Sequence, residues 1–213
     1  MLRYPPVLIA LLYFYCHKNF TMKRLCLTAA IVITSVITLF SQEKSTALLL
    51  IDIQNFYFPG GKAELVQPEK AAQNAAKLLT WFRNNNLTVI HVRHNAEPGG
   101  EINDLVKPLG NEKIISKDAV NCFVGTDLKN YLAGEKISTL VICGMQTHMC
   151  VEAATRAASD LGFKCILIHD ACTTKDLKFG DKVIKAEDVH YSTLSTLKSY
   201  ATVESTSEFL GTK

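Results

Sequence analysis

The sequence predicts a single α/β domain with three layers, in which helices cover both faces of a mostly parallel sheet of roughly six strands. Two observations support this fold class. From Thr46 onward, short apolar runs of strand length alternate with stretches whose apolar residues recur at helical spacing. In addition, residues 47–53 (ALLLIDI) are almost continuously apolar, as expected of a strand that is covered on both faces.

The predicted elements follow one another in a regular order. Helices are expected near Pro68, near Thr126, at Cys150 and near Ala186, where apolar residues recur three and four positions apart. Residues 95–111 carry several prolines and glycines and form a loop over the strand ends. Because ligands bind beyond the carboxyl ends of such strands, functional residues are sought there. The strands are predicted at residues 47–53, 87–92, 113–116, 140–143, 165–168 and 201–203.

The first 42 residues differ in composition from the rest, because they contain four basic residues and no Asp or Glu. From Met22, two basic residues precede an uncharged run at 25–40 and then small or polar residues, which is the plan of a secretory signal peptide. The run is shorter than the ~20 residues of a usual membrane-spanning helix. We therefore expect a cleaved signal over residues 22–42, with translation starting at Met22, and an exported domain over residues 43–213. An uncleaved signal would instead anchor the protein in a membrane.

The remaining composition excludes some classes of partner. Without the N-terminal segment, 19 of the 23 basic residues remain against 20 acidic residues, so the charge gives no argument for nucleic-acid binding. A cleaved signal also leaves no stable membrane association. Five cysteines remain, an odd number, and their spacings resemble neither a disulfide scaffold nor a zinc site.

Three predicted strand ends carry reactive side chains, namely Asp52, Lys117 and Cys150. Cys150 lies where a helix begins, and the helix dipole is expected to lower its thiol pKa from about 8.5 toward neutrality. An acid at the end of an apolar strand is costly to bury unless it is paired, which makes Lys117 its natural partner. Each residue alone has an ordinary explanation, as a core cysteine, a turn carboxylate or a surface lysine. Together they can activate a nucleophile and protonate a leaving amine.

Four motifs make the sequence resemble the isochorismatase-like cysteine hydrolases, which include nicotinamidases and related amidohydrolases. These motifs are LLLIDIQNFY, ISKDAVNCFVGTDL, VICGMQTHMCVEAATRAASDLGF and ILIHDACTT, within residues 46–203. The resemblance implies a Rossmann-like fold, a homo-oligomer, and a catalytic triad of Asp52, Lys117 and Cys150. It also implies a cis peptide bond between Met145 and Gln146, and an oxyanion hole formed by the backbone N–H groups of Gln146 and Cys150.

Other residues define the expected ligands. Aromatic side chains at Phe56, Tyr57 and Phe123 follow the triad residues closely and are predicted to contact a small-molecule substrate. The nicotinamidases of the family bind a metal through an Asp-x-His pair and a further His, and this pair is absent here. His91 and His94 are spaced to face opposite sides of a strand, a poor arrangement for chelation. We therefore predict no metal and no cofactor.

The predicted function is hydrolysis of a small amide-like C–N bond through a thioester on Cys150. Nicotinamidase or isochorismatase chemistry on the same fold is one alternative. A non-catalytic binding module and a thiol redox protein are the others, the latter because of the cysteine content and the predicted export.

Overall fold

A parallel sheet of six strands forms the centre of the domain, which confirms the predicted fold class. The structure, a computed structural model, describes residues 45–211. The predicted signal segment at residues 22–42 lies outside the described residues. The strands are β1 Thr46–Ile51, β2 Thr88–His94, β3 Lys113–Lys117, β4 Thr139–Met145, β5 Lys164–Thr173 and β8 Thr202–Glu204, and a separate hairpin joins β6 Leu177–Phe179 to β7 Lys182–Ile184.

The strand order β3-β2-β1-β4-β5-β8 places β1 at the point where the chain switches from one half of the sheet to the other. Both faces of β1 and β4 are covered, and nearly all of their residues are buried. Their continuous apolar sequence is explained by this double burial. A cleft forms naturally beyond the carboxyl ends at such a switch point.

The helices pack their apolar faces on the sheet. The longest begins at Pro68, whose fixed φ suits the first helical turn, and it buries the five apolar positions that the sequence pattern predicts, from Ala71 to Phe82. The helices are α1 Pro68–Asn84, α2 Leu128–Gly134, α3 Glu152–Asp160, α4 Ala186–Leu197 and α5 Thr206–Gly211. No helix in the described part of the chain is long and apolar enough to cross a membrane.

Three details differ from the sequence prediction. β1 ends at Ile51 because Asp52 adopts a left-handed conformation (φ 48°). β5 extends to Thr173 through a bulge, in which the residues between Leu167 and Cys172 oppose a single residue of β4. The short hairpin and α5 were not predicted, because neither contains an apolar run long enough to show a period.

At Gly144 the backbones of β4 and β1 lie too close together to leave room for a side chain. Its φ is +130°, and a Cβ atom there would lie 2.0 Å from the carbonyl oxygen of Ile51. Only glycine can occupy this position without moving one of the two central strands.

We expect Gly144→Ala to lower the free energy of unfolding by more than about 3 kcal/mol, measured by urea denaturation. Gly162→Ala is the matched control, because Gly162 also has a positive φ (+90°) but has open space around it. It should cost only the ~1–2 kcal/mol of the left-handed backbone. Equal losses in the two variants would show that the approach of β4 to β1 is unimportant.

Candidate active site

The strand ends bring together the three side chains predicted to form a triad. Asp52 directly follows β1, Lys117 is the last residue of β3, and Cys150 lies in a π-helical turn, Thr147–Val151, between β4 and α3. The backbone N–H of Asp52 donates to the carbonyl of Val92 (2.9 Å), which fixes the carboxylate beside β2. The side chains of Asp52 and Lys117 are both fully buried.

The ammonium group of Lys117 contacts the side chains of three other residues of the site. Its Nζ lies 2.8 Å from Asp52 Oδ2 and donates a hydrogen bond to Cys150 Sγ (3.3 Å). A third neighbour is His94 Nδ1, at 3.2 Å. The contacts with Cys150 and His94 have hydrogen-bond geometry, whereas the contact with Asp52 is an ion pair, since neither carboxylate oxygen has a hydrogen-bond partner within residues 45–211.

The buried charges shift one another's pKa values. Burial raises the pKa of Asp52, although Lys117 opposes the shift. Burial alone would lower the pKa of Lys117, but Asp52 and then Cys150 outweigh it and raise that pKa. Lys117 is therefore a stable cation.

Burial, followed by the nearby Asp52 charge, raises the pKa of Cys150 to about 12. The expectation of a depressed thiol pKa was therefore wrong, because desolvation and a carboxylate outweigh the helix terminus and the lysine. A thiol with this pKa carries its proton at neutral pH. It needs a base at the moment of attack.

The chain segment before Cys150 has an unusual backbone. The peptide bond between Met145 and Gln146 is cis, as the resemblance implies. The carbonyl of Gln146 accepts hydrogen bonds from the backbone N–H groups of Met149 (3.1 Å) and Val151 (3.3 Å), and so closes the π-helical turn. Gln146 and Cys150 both line the same cavity.

A cavity of about 500 Å³ opens above the triad. The predicted aromatic residues Phe56 and Tyr57 line it, and the Tyr57 hydroxyl accepts a hydrogen bond from the Gln146 side chain (3.3 Å). Phe123 does not line it; its ring stacks on Phe163 with the centroids 6.3 Å apart. Contact between Phe123 and a substrate stays a prediction. The full lining is Phe56, Tyr57, Lys62, Ala63, His94, Asn95, Ala96, Glu97, Val120, Gln146, Met149 and Cys150.

Two histidines near Cys150 in the fold have other partners. His148 lies two residues before Cys150, yet its Nδ1 is 2.6 Å from the Thr174 hydroxyl. His190 Nδ1 lies 2.9 Å from the Thr147 hydroxyl, and burial lowers its pKa to about 4. Both contacts support the π-helical turn from outside the cavity.

His91 and His94 lie on different sides of β2. His91 is buried with its Nε2 3.0 Å from Glu112 Oε2, whereas His94 contacts Lys117. Within residues 45–211, no group of three or more His, Cys, Asp or Glu side chains is arranged to hold a metal ion. Sequence reasoning considered His94 only as a metal ligand and missed its contact with the triad. The available signal was the register of the parallel strands, in which His94 is the partner of Lys117.

The fold and this arrangement define a class of protein, a hydrolase with a buried Asp, Lys and Cys group at the carboxyl edge of a parallel sheet. Residues 46–206 match the isochorismatase domain, and the chain belongs to the isochorismatase family of hydrolases. It is 47% identical over 178 residues to the Bacillus subtilis isochorismatase family protein YddQ. The aligned region covers 78% of this chain and 99% of YddQ.

Two further similarities bear on structure and chemistry. The crystal structure of a putative isochorismatase hydrolase from Oleispira antarctica has 44% sequence identity and a TM-score of 0.76, with 79% of this chain and 97% of the other covered. The maleamate amidohydrolase of Pseudomonas putida is 25% identical over 181 residues, covering 68% of this chain and 85% of the relative.

Removal of the Asp52 charge should make Cys150 more reactive, although it should abolish any turnover that uses Asp52. Because Asp52 raises the thiol pKa, Asp52→Asn leaves the Lys117 ammonium unopposed and lowers that pKa. One unit of pKa corresponds to about a tenfold change in thiolate at pH below the pKa. We expect at least ~10-fold faster alkylation of Cys150 by iodoacetamide at pH 7.5, followed by peptide mapping. Slower alkylation in this variant would contradict the charge balance described above.

The ion pair between Lys117 and Asp52 should also contribute measurably to the free energy of unfolding. Lys117→Met leaves a buried carboxylate without its counter-ion and should cost about 3–5 kcal/mol in the free energy of unfolding. The double variant Asp52→Asn/Lys117→Met removes both charges and should recover most of this loss in urea denaturation. If the double variant were as unstable as Lys117→Met, the loss would come from packing rather than from charge.

Proposed function

We propose that this chain hydrolyses a small amide C–N bond through a thioester on Cys150. The observation that carries the proposal is that one buried ammonium, on Lys117, contacts both a carboxylate (2.8 Å) and the cysteine sulfur (3.3 Å) at the wall of a cavity. A base and a cation are thus buried beside a cysteine sulfur whose residue lines a cavity that can hold a small molecule.

Acylation begins with the thiol protonated. Asp52 takes the Sγ proton of Cys150 as the sulfur attacks the amide carbon, so no free thiolate has to be stored. The raised pKa of Asp52 makes it a stronger base than an ordinary carboxylate. The negative charge that develops on the carbonyl oxygen is held by the backbone N–H groups of Gln146 and Cys150. Lys117 stays protonated and offsets the charge on the sulfur and on Asp52.

The proton returns in the second half of acylation. Asp52 donates it to the amide nitrogen as the C–N bond breaks, and the amine leaves. Asp52 then takes a proton from water, the hydroxide adds to the thioester carbon, and the C–S bond breaks. The sulfur recovers the proton from Asp52, so the product acid leaves and the enzyme returns to its starting state.

A thioester route suits an amide substrate, because expulsion of an amine requires a proton donor and Asp52 acquires that proton in the preceding step. The name of the P. putida relative, an amidohydrolase acting on maleamate, supports an amide as the substrate. Phe56 and Tyr57 supply apolar surface on the cavity wall for the acyl part.

Cys150→Ala should abolish turnover of a small-amide panel while it leaves the circular dichroism spectrum and urea midpoint nearly unchanged. Cys165→Ala is the matched control, because Cys165 is equally buried but lies outside the cavity, and it should retain activity. Mass spectrometry of the wild-type chain quenched during turnover should show an acyl adduct on the Cys150 peptide. Activity that survives in Cys150→Ala would sink the mechanism.

A further inference from the structure

The mechanism above leaves one polar contact of the triad unused, namely the imidazole of His94. In the sheet register His94 is the partner of Lys117, and its Nδ1 lies 3.2 Å from the lysine Nζ. Because the ammonium can only donate, Nδ1 must accept and carries no proton. The neutral ring therefore holds its proton on Nε2.

The backbone of His94 is held on both sides by one buried amide. His94 N–H donates to Gln54 Oε1 (2.8 Å), and Gln54 Nε2 donates to the carbonyl of His94 (2.9 Å). The same Nε2 donates to the carbonyl of Gly100 (2.7 Å), which ties the following loop to this point. Gln54 is fully buried, two residues beyond Asp52. The backbone that carries the His94 ring is therefore fixed to the segment after β1, which also carries Asp52.

The other edge of the ring is available to a ligand. His94 is half-buried and lines the cavity that contains Cys150. No residue among those that the structure describes is hydrogen-bonded to its Nε2. The ring and the sulfur contact the same ammonium, at 3.2 and 3.3 Å, and both residues line this cavity, so one small ligand in it can approach both of them.

We propose that His94 has two functions, one on each ring nitrogen. Through Nδ1 it positions the Lys117 ammonium, and through its Nε2–H it donates to a second oxygen acceptor on the substrate. The substrate class is then a small amide that carries a carbonyl or carboxylate oxygen near the scissile bond. This inference rests on the proposed function for its substrate half, whereas the lysine contact is independent of it.

Two variants separate the functions. In His94→Asn the amide oxygen replaces Nδ1 and keeps the lysine contact, but no group replaces Nε2–H. In His94→Gln the longer amide reaches the Nε2 position but leaves the ammonium. His94→Leu removes both interactions. His169→Asn is the control, since His169 lies on β5 and lines a different cavity.

The substrates are succinamate and butanamide, two primary amides of similar length that differ in the carboxylate. For wild type we expect the higher kcat/KM with succinamate. His94→Asn should lose ~10–100-fold in kcat/KM with succinamate, mainly in KM, and clearly less with butanamide, which has no carboxylate to lose. His94→Gln should lose kcat with both substrates, and His94→Leu should show both defects. His169→Asn should match wild type.

Equal losses on both substrates in the Asn, Gln and Leu variants would overturn the proposal, because they would indicate packing alone. Wild-type kcat in His94→Leu would also overturn it. If the wild-type chain hydrolyses neither amide, the substrate half of this inference fails, whereas the proposed function is still decided by the small-amide panel, and Cys150 alkylation still tests the lysine contact. His94→Leu should then slow alkylation several-fold at pH 8 while His94→Asn does not, since a loosened Lys117 stabilises the thiolate less; unchanged rates in both would overturn that contact's role.

Discussion

The buried ammonium of Lys117 is the interaction on which the site depends. A fully buried cation is expensive unless every N–H group finds an acceptor and a counter-charge lies close by. Here Asp52 supplies the counter-charge, and His94 and Cys150 supply acceptors; the three come from separate elements, the end of β1, the end of β2 and the turn after β4. None of these elements is a neighbour of Lys117 in the sequence. Only the parallel sheet, which collects its carboxyl ends along one edge, can bring them to a single atom.

The same ammonium explains why the cysteine is not a free thiolate. Lys117 favours the charged sulfur, but Asp52 already balances its charge, and burial penalises a further anion. One carboxylate and one ammonium are therefore neutral as a pair, with the thiol proton in place. In the proposed mechanism, attack on a substrate would move that proton to Asp52 while negative charge moves to the sulfur and then to the carbonyl oxygen. The site would then carry one ammonium and a single negative charge at each stage, which would keep charge separation small in a medium of low dielectric.

The fold, and the meeting of Asp52, Lys117 and Cys150 at one edge of the sheet, could be predicted because both depend on the order and spacing of residues along the chain. Alternating strand and helix periods imply a parallel sheet, and a polar residue at the end of an apolar strand implies a shared edge. The bulge in β5 could not be predicted, because residues 169–171 lose the apolar pattern while the strand continues. The direction of Phe123 and the pKa of Cys150 depend on which atoms surround each side chain. Spacing along the chain carries no information about either.

His94 illustrates a different kind of failure. Its spacing from His91 predicts that the two side chains lie on opposite sides of the strand, and they do. That spacing gives no information about which residue of the next strand each histidine contacts. The relevant neighbour was across the sheet. In a parallel pair, a residue that ends one strand lies beside the residue that ends the next, so polar residues at strand ends should be examined as a row. Applied to this chain, that row begins at Lys117, passes through His94 and reaches Asp52 beyond β1.

The residues around the cavity differ in how firmly the fold holds them. Asp52 and Lys117 are fixed by strands in the core, where Gly144 of β4 is sterically required. Another part of the wall is more exposed and includes Val120 and Met149, which are 40% and 39% exposed. Under the proposed function, a change in this exposed wall would alter which acyl group fits without disturbing the ammonium and its three neighbours. Specificity would then depend on this wall and on His94, and bond cleavage on the groups at the carboxyl edge of the sheet.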